Sequence, residues 1–134
     1  MAKITEEMKQ VIQGARVFAV ATASKDGEPN VVPIAFGKVL GEDEILLVDN
    51  FMKKTMENLK TNPRAAVSVW KAGDSKGYQF KGDVRIETSG SNFEDGVRMV
   101  KAVEPKLTPK AVVIVKVKSI YSITPGPDAG KLIS

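Results

Sequence analysis

The chain of 134 residues contains neither cysteine nor histidine. Without cysteine there can be no disulfide, no thiolate nucleophile and no structural zinc site of the usual kind. Without histidine the commonest general base is missing, and with it any Ser-His-Asp triad and most transition-metal sites. Aromatic residues make up only 6% of the sequence, thin material for stacking nucleic-acid bases. No apolar run approaches the roughly 18 residues of a membrane span. The opening "MAKITEEMKQ" carries acids where a secretory leader would be apolar. A cytoplasmic protein is the expectation, and any chemistry at neutral pH points to a bound cofactor.

What is present is ordinary for a globular protein: 43% hydrophobic and 27% charged residues. No repeat, linker or low-complexity tract divides the chain, so residues 1–134 read as one domain. The net charge of +4 suits an anionic ligand and leaves weak nucleic-acid binding open.

Along the chain the patterns predict six strands and three helices. "TEEMKQVIQ" (5–13) is an amphipathic helix with Met8, Val11 and Ile12 on one face and Gly14 as its stop. "RVFAVATAS" (16–24) is apolar and β-branched enough for a buried strand. "KDGEPN" (25–30) supplies the Asp-Gly hairpin turn, which takes in Asn30. "VVPIAFGKVL" (31–40) then returns antiparallel as one strand, with Pro33 at an edge or bulge. "ILLVD" (45–49) is the third strand. A helix with Met52, Met56 and Leu59 inward follows, ended by Pro63.

Strands at 65–70 and 77–88 come next. The second alternates, with Tyr78, Phe80, Gly82, Val84 and Ile86 opposite Gln79, Lys81, Asp83, Arg85 and Glu87. Ser91 and Glu94 stand at capping-box spacing before a helix that turns Phe93, Val97 and Val100 inward. Residues 111–123 form the last strand. Hairpin-joined strands exclude a doubly wound sheet. A small antiparallel barrel, closed so that it has no exposed edges, is the expected fold.

One turn stands apart. In "NFMKKTMENLKTNPR" (50–64), Lys53, Lys54 and Thr55 fall at the start of the helix. Free N–H groups already make that end positive, and a cation there costs roughly 0.3–1 kcal/mol. Amides, two ammonium groups and a hydroxyl together describe an anion site, most simply for a phosphate. Charge-assisted hydrogen bonds of about 1.5–3 kcal/mol each outweigh the dipole penalty. Adjacent lysines are also common as solvated surface charge, so the spacing alone leaves both readings open.

"GEPNVVPIAFG", "ILLVDNFMKKTMENLKTNPRAAVSVW", "GYQFKGDVRIET" and "YSITPGPDAGKLI" together resemble the FMN-binding split-barrel family. That family takes in pyridoxamine-phosphate-oxidase-like proteins and the small FMN-binding proteins of anaerobes. The resemblance runs from Phe18 to Ile133. It implies a mainly β fold, a six-stranded antiparallel, Greek-key-like split barrel with three short helices. It also implies a homodimer with two FMN molecules in grooves at the subunit interface.

By position, the resemblance implies that Lys54 and Thr55 grip the FMN phosphate with Lys53 beside them. The backbone of Val32, Pro33 and Ile34 would lie along the isoalloxazine ring, and Val48, Asp49 and Asn50 would pass its other edge. Gln79 would reach the flavin from the partner subunit, with an exposed strand amide as the equal alternative. The implied chemistry is hydride or single-electron transfer at flavin N5, with no side chain named as acid or base and no metal site.

Alternatives stay open within and beyond the family. Some relatives bind the deazaflavin F420, and a non-catalytic flavin store or sensor would share every feature above. Pyridoxamine phosphate oxidase itself carries a C-terminal extension with an aromatic residue and an Arg/His substrate-binding set. This histidine-free sequence does not match it, so vitamin B6 oxidation is not expected. A nucleic-acid-binding barrel is the rival from another class, weakened because Phe36 and Phe80 look core-facing. Trp70, at a strand end, reads as core or interface.

Overall fold

β-Branched and alternating stretches become seven antiparallel strands in the computed structural model, which describes residues 2–134. They are β1 (Phe18–Ala23), β2 (Pro29–Ile34), β3 (Gly37–Leu40), β4 (Glu44–Asp49), β5 (Arg64–Trp70), β6 (Gly77–Glu87) and β7 (Ala111–Ser122). Three helices are inserted: α1 (Glu6–Gly14), α2 (Lys54–Thr61) and α3 (Ser91–Lys101). One sheet holds all the strands in the order β2-β1-β5-β6-β7-β4-β3. Among the described residues no helix is long and apolar enough to cross a membrane.

Seven strands correct the expected six, because "VVPIAFGKVL" is two strands rather than one. β2 pairs with β1, while β3 pairs with β4 at the far end of the sheet. The chain changes partner at Ala35 and Phe36, where the Phe36 carbonyl accepts from the Val48 amide at 3.0 Å. Gly37 makes the crossing possible: a Cβ there would lie 3.0 Å from the Leu46 carbonyl oxygen and 3.1 Å from the Phe18 ring. Three peptide units span at most about 11 Å. The two ends of the sheet must therefore approach, and the sheet curls into a half-barrel. It does not close as expected, because β2 and β3 remain its unpaired edges.

Inside the barrel, Val20, Ile45, Leu47, Val67, Phe80, Val113 and Val115 meet Met8, Val11 and Ile12 of α1. Met52 and Leu59 join the same core from the α2 side. A second cluster on the outer face of β4 and β7 packs Leu46, Val48, Val112 and Ile114 against Val100 of α3. These two strands are buried on both faces, which is why their sequences run apolar without alternation. Gly96 lets α3 come close, since a Cβ there would meet Val112 Cγ1 at 2.6 Å.

The expected Ser91–Glu94 capping box does not form. Gly90, at φ +93°, is the N-cap, and its carbonyl accepts from the Glu94 amide at 3.0 Å. Ser91 is already helical, so its hydroxyl is past the position from which it could cap. The capping box of this chain is instead at α1. There the Met8 amide donates to Thr5 Oγ1 at 3.3 Å, and Met8 Sδ takes the Thr5 amide at 3.5 Å. The alternation of β6 holds, with Val84 and Ile86 toward the core. The register shift at Lys81/Gly82 leaves Lys118 as the extra residue on β7, whose core-facing residues pass from Val117 to Ile120.

Candidate ligand-binding site

The crossing from β2 to β3, the end of β4 and the start of α2 enclose a groove of about 460 Å³. Val32, Pro33, Ile34, Ala35 and Phe36 line it from one side. Val48, Asn50, Phe51 and Met52 line it from the other, with Leu107 closing a corner. Lys53, Lys54 and Thr55 form one end. The volume falls within the roughly 300–1,000 Å³ typical of small-molecule sites.

The loop between β4 and α2 is held from inside. Asp49, 2% exposed, turns its carboxylate away from the groove and accepts from the Met52 amide at 2.8 Å. Lys110 reaches the Met52 carbonyl at 3.4 Å and stands 3.9 Å from Asp49 Oδ1. With its backbone fixed, the loop presents Asn50, Phe51 and Lys53 to the groove. Phe51 is 75% exposed, an aromatic ring left at the lip.

Helix α2 starts without a side-chain cap, at Lys53. The first amide bonded back along it is that of Glu57, to the Lys53 carbonyl at 3.0 Å. Among the described residues the amides of Lys54, Thr55 and Met56 have no protein acceptor, the usual condition of an uncapped first turn. Nor does either lysine make an ion pair with a carboxylate there. Thr55 is 1% exposed and its hydroxyl accepts from Asn30 Nδ2 at 3.0 Å. Asn50 Oδ1 is buried with no hydrogen-bond partner.

Eight of the ten residues expected at the site line this one groove: Val32, Pro33, Ile34, Val48, Asn50, Lys53, Lys54 and Thr55. Asp49 does not, because its carboxylate serves the loop. Gln79 does not either; it lies on β6 between Ser68 and Tyr121, on the sheet's outer face. The sequence reading missed Phe51, Leu107 and the Asn30 contact with Thr55. Only the distance of Leu107 from everything else in sequence hid it, whereas Asn30 was taken up in the hairpin turn.

An apolar slot that ends in free amides and two ammonium groups suits a flat, largely apolar ligand with an anionic tail. The perturbed titrations lie elsewhere. Arg85 holds the Glu87 carboxyl below its ordinary range, and Lys118 does the same for Asp83. Burial pushes the Tyr78 phenol up.

The sequence model of pyridoxamine 5'-phosphate oxidase matches residues 4–124. The chain belongs to this family. This member of the pyridoxamine 5'-phosphate oxidase family is 40% identical over 136 residues to an uncharacterized protein of Methanocaldococcus jannaschii, covering 100% of this chain and 90% of that protein. It is similar in structure to Group A Streptococcus HupZ, with a TM-score of 0.81 and 27% identity, over 95% of this chain and 99% of that one. An FMN-binding protein from Syntrophomonas wolfei shares the fold with a TM-score of 0.80 at 17% identity, over 90% and 86% of the two chains. The same fold, also at 17% identity, occurs in an F420 reductase, with a TM-score of 0.69 over 87% of this chain and 98% of that one, and in a heme-binding protein from Mycobacterium smegmatis, with a TM-score of 0.73 over 96% of this chain and 57% of that one.

Proposed function

We propose that the groove binds FMN and that the chain is a flavin-dependent oxidoreductase or electron-transfer protein. The observation that carries this is the joining of an apolar slot to an uncapped helix start flanked by Lys53 and Lys54. The residues fit the cofactor. Free amides of Lys54, Thr55 and Met56 and two ammonium groups match a phosphate dianion. The buried, unpartnered Asn50 Oδ1 matches a ring N–H, for which it is an acceptor. Val32, Ile34, Val48 and Met52 match the apolar faces of the ring system and exclude water from it.

When bound, FMN supplies hydride or single-electron transfer through its N5 atom. The chain's own part is to hold the phosphate, seat the ring and keep water away. No carboxylate lines the groove, and its titratable side chains, Lys53 and Lys54, are assigned to the phosphate. Heme suits this chain less, because histidine and cysteine, its commonest axial ligands besides methionine and tyrosine, are absent from the sequence.

The reading includes a homodimer. On the outer face of the sheet, Ala19, Ala21, Ala66 and Ser68 make a flat surface of small side chains next to Val31, which is 66% exposed. Gln79 belongs to the same face, opposite Ser68. A second copy packed there with two-fold symmetry buries that surface twice and offers Gln79 to the partner's flavin. Sedimentation equilibrium checks this; a monomer that binds one FMN tightly rules it out.

Cofactor class is tested by the visible spectrum of the purified protein and by titration with FMN, F420 and heme. FMN-like absorption bands and tight FMN uptake are expected. Uptake of F420 or heme with indifference to FMN overturns the reading. Anaerobic reduction of the FMN-loaded protein by NADH, NADPH and reduced F420, side by side, then identifies the electron donor.

A further inference from the structure

Thr55, at the second position of α2, is tied to two strands by side chains alone. Its Oγ1 accepts from Asn30 Nδ2 at 3.0 Å, and the other hydrogen of that amide goes to Thr22 Oγ1 at 3.3 Å. Thr22 Oγ1 also accepts from Asn58 Nδ2 at 3.0 Å. Two carboxamides and two hydroxyls thus link β1, β2 and α2.

The linkage has a direction. A carboxamide NH₂ only donates, so Thr55 Oγ1 receives and its own proton must point elsewhere. Among the described residues no group takes that proton. Thr55 is buried and lines the groove, where a donor without a partner is costly. A phosphate dianion has acceptors only, and a hydroxyl that faces it has to be a donor.

We propose that Asn30 is a positioning residue for the groove's anion: by donating to Thr55 Oγ1 it commits the Thr55 hydroxyl to donate to the ligand's phosphate. This rests on the FMN reading and adds to it a residue that does not itself line the groove. Asn30 acts through Thr55. Asn58 provides the internal control, since it enters the same network at Thr22 without touching Thr55.

The experiment compares FMN and riboflavin affinities, by flavin fluorescence quenching, and melting temperatures in the full-length chain. In Asn30→Asp the carboxylate accepts from Thr55, consumes its proton and adds charge beside the anion. FMN affinity is expected to fall about tenfold or more relative to riboflavin. Asn30→Ala frees the hydroxyl to rotate, and the FMN-to-riboflavin ratio falls about threefold. Asn58→Ala lowers the melting temperature as Asn30→Ala does, but keeps the wild-type ratio.

A ratio unchanged in Asn30→Asp shows that Thr55 donates to Asn30 rather than to the ligand, and overturns the proposal. So does an equal loss of both flavins, or an Asn58→Ala ratio that falls as far. If Asn30→Asp does not fold, the ratio in Asn30→Ala decides. A wild-type chain that binds FMN and riboflavin alike overturns the phosphate reading itself, a failure visible before any variant is made.

Discussion

At the start of α1, Thr5 caps the helix through the Met8 amide, and Glu6 and Glu7 put negative charge in the first turn. At the start of α2 no side chain caps the helix, Lys53 and Lys54 crowd the positive end, and the acid of its first turn, Glu57, comes only at that turn's end. The first helix is completed by its own sequence. Thr5 gives the Met8 amide an acceptor and the two acids offset the dipole, so this end needs no ligand. The second is completed by neither, although it packs on β1 and β2 and buries Leu59 to 2% exposure. A helix end that costs stability in the free chain regains it when an anion arrives. On the FMN reading, the difference separates an end that folds for its own sake from one kept for a ligand.

The largest way to break this comparison is to remove the cations. Lys54→Ala and Thr55→Ala should each weaken FMN by one to two orders of magnitude, about 1.5–3 kcal/mol, while riboflavin affinity barely changes. The Lys54→Ala loss should shrink in high salt, where part of the attraction is screened, and Lys53→Ala should cost less. Fluorescence quenching titrations of both ligands measure all three. Variants that weaken FMN and riboflavin alike would reduce the lysines to surface charge.

A smaller effect comes from unmaking the cap of α1. Thr5→Ala should cost about 1 kcal/mol in urea denaturation and leave FMN affinity untouched, since α1 is finished without ligand. Giving α2 the missing cap sharpens the contrast further. Lys53→Asp should stabilise the flavin-free chain by about 0.5 kcal/mol and weaken FMN, so that stability and binding move in opposite directions. Urea midpoints and FMN titrations of the same samples test the two signs together.

The smallest effect serves both helix ends as a control. Glu87 accepts from Arg85 and Asn92, and Arg85 also engages Glu44. These partners hold its carboxyl below the ordinary 4.5. Its contribution is complete above that value and is lost as pH falls through the lower folded value. Glu87→Gln should slightly flatten the acid limb of the stability profile, and do so equally with Thr5→Ala and Lys53→Asp backgrounds.

Much of this was legible without coordinates. The apolar runs at 45–49 and 111–123 announce strands, and they are β4 and β7. The alternation of 77–88 announces a half-buried strand, and the order strand, Lys-Lys-Thr, helix announces an exposed helix start. These features depend on a few neighbouring residues, and local steric preference writes them directly into the pattern.

Other features were decided only when distant segments met. "VVPIAFGKVL" has no polar break, so nothing local shows that its halves pair with strands at opposite ends of the sheet. Curling of the sheet brings its two ends together at Ala35 and Phe36, where the chain changes partner and makes one wall of the groove. Asp49 looked like a groove residue until the Met52 amide claimed its carboxylate. Asn30 looked like part of a turn until α2 laid Thr55 against it. The sequence determined where strands and helices begin and which helix end lacks a cap, because backbone conformation is chosen among near neighbours. The tertiary structure alone decided which groups face the same cavity and that Asn30 meets Thr55 and Asn58 meets Thr22, because these partners lie 25 and 36 residues apart and only the curled sheet with α2 laid on it brings them together.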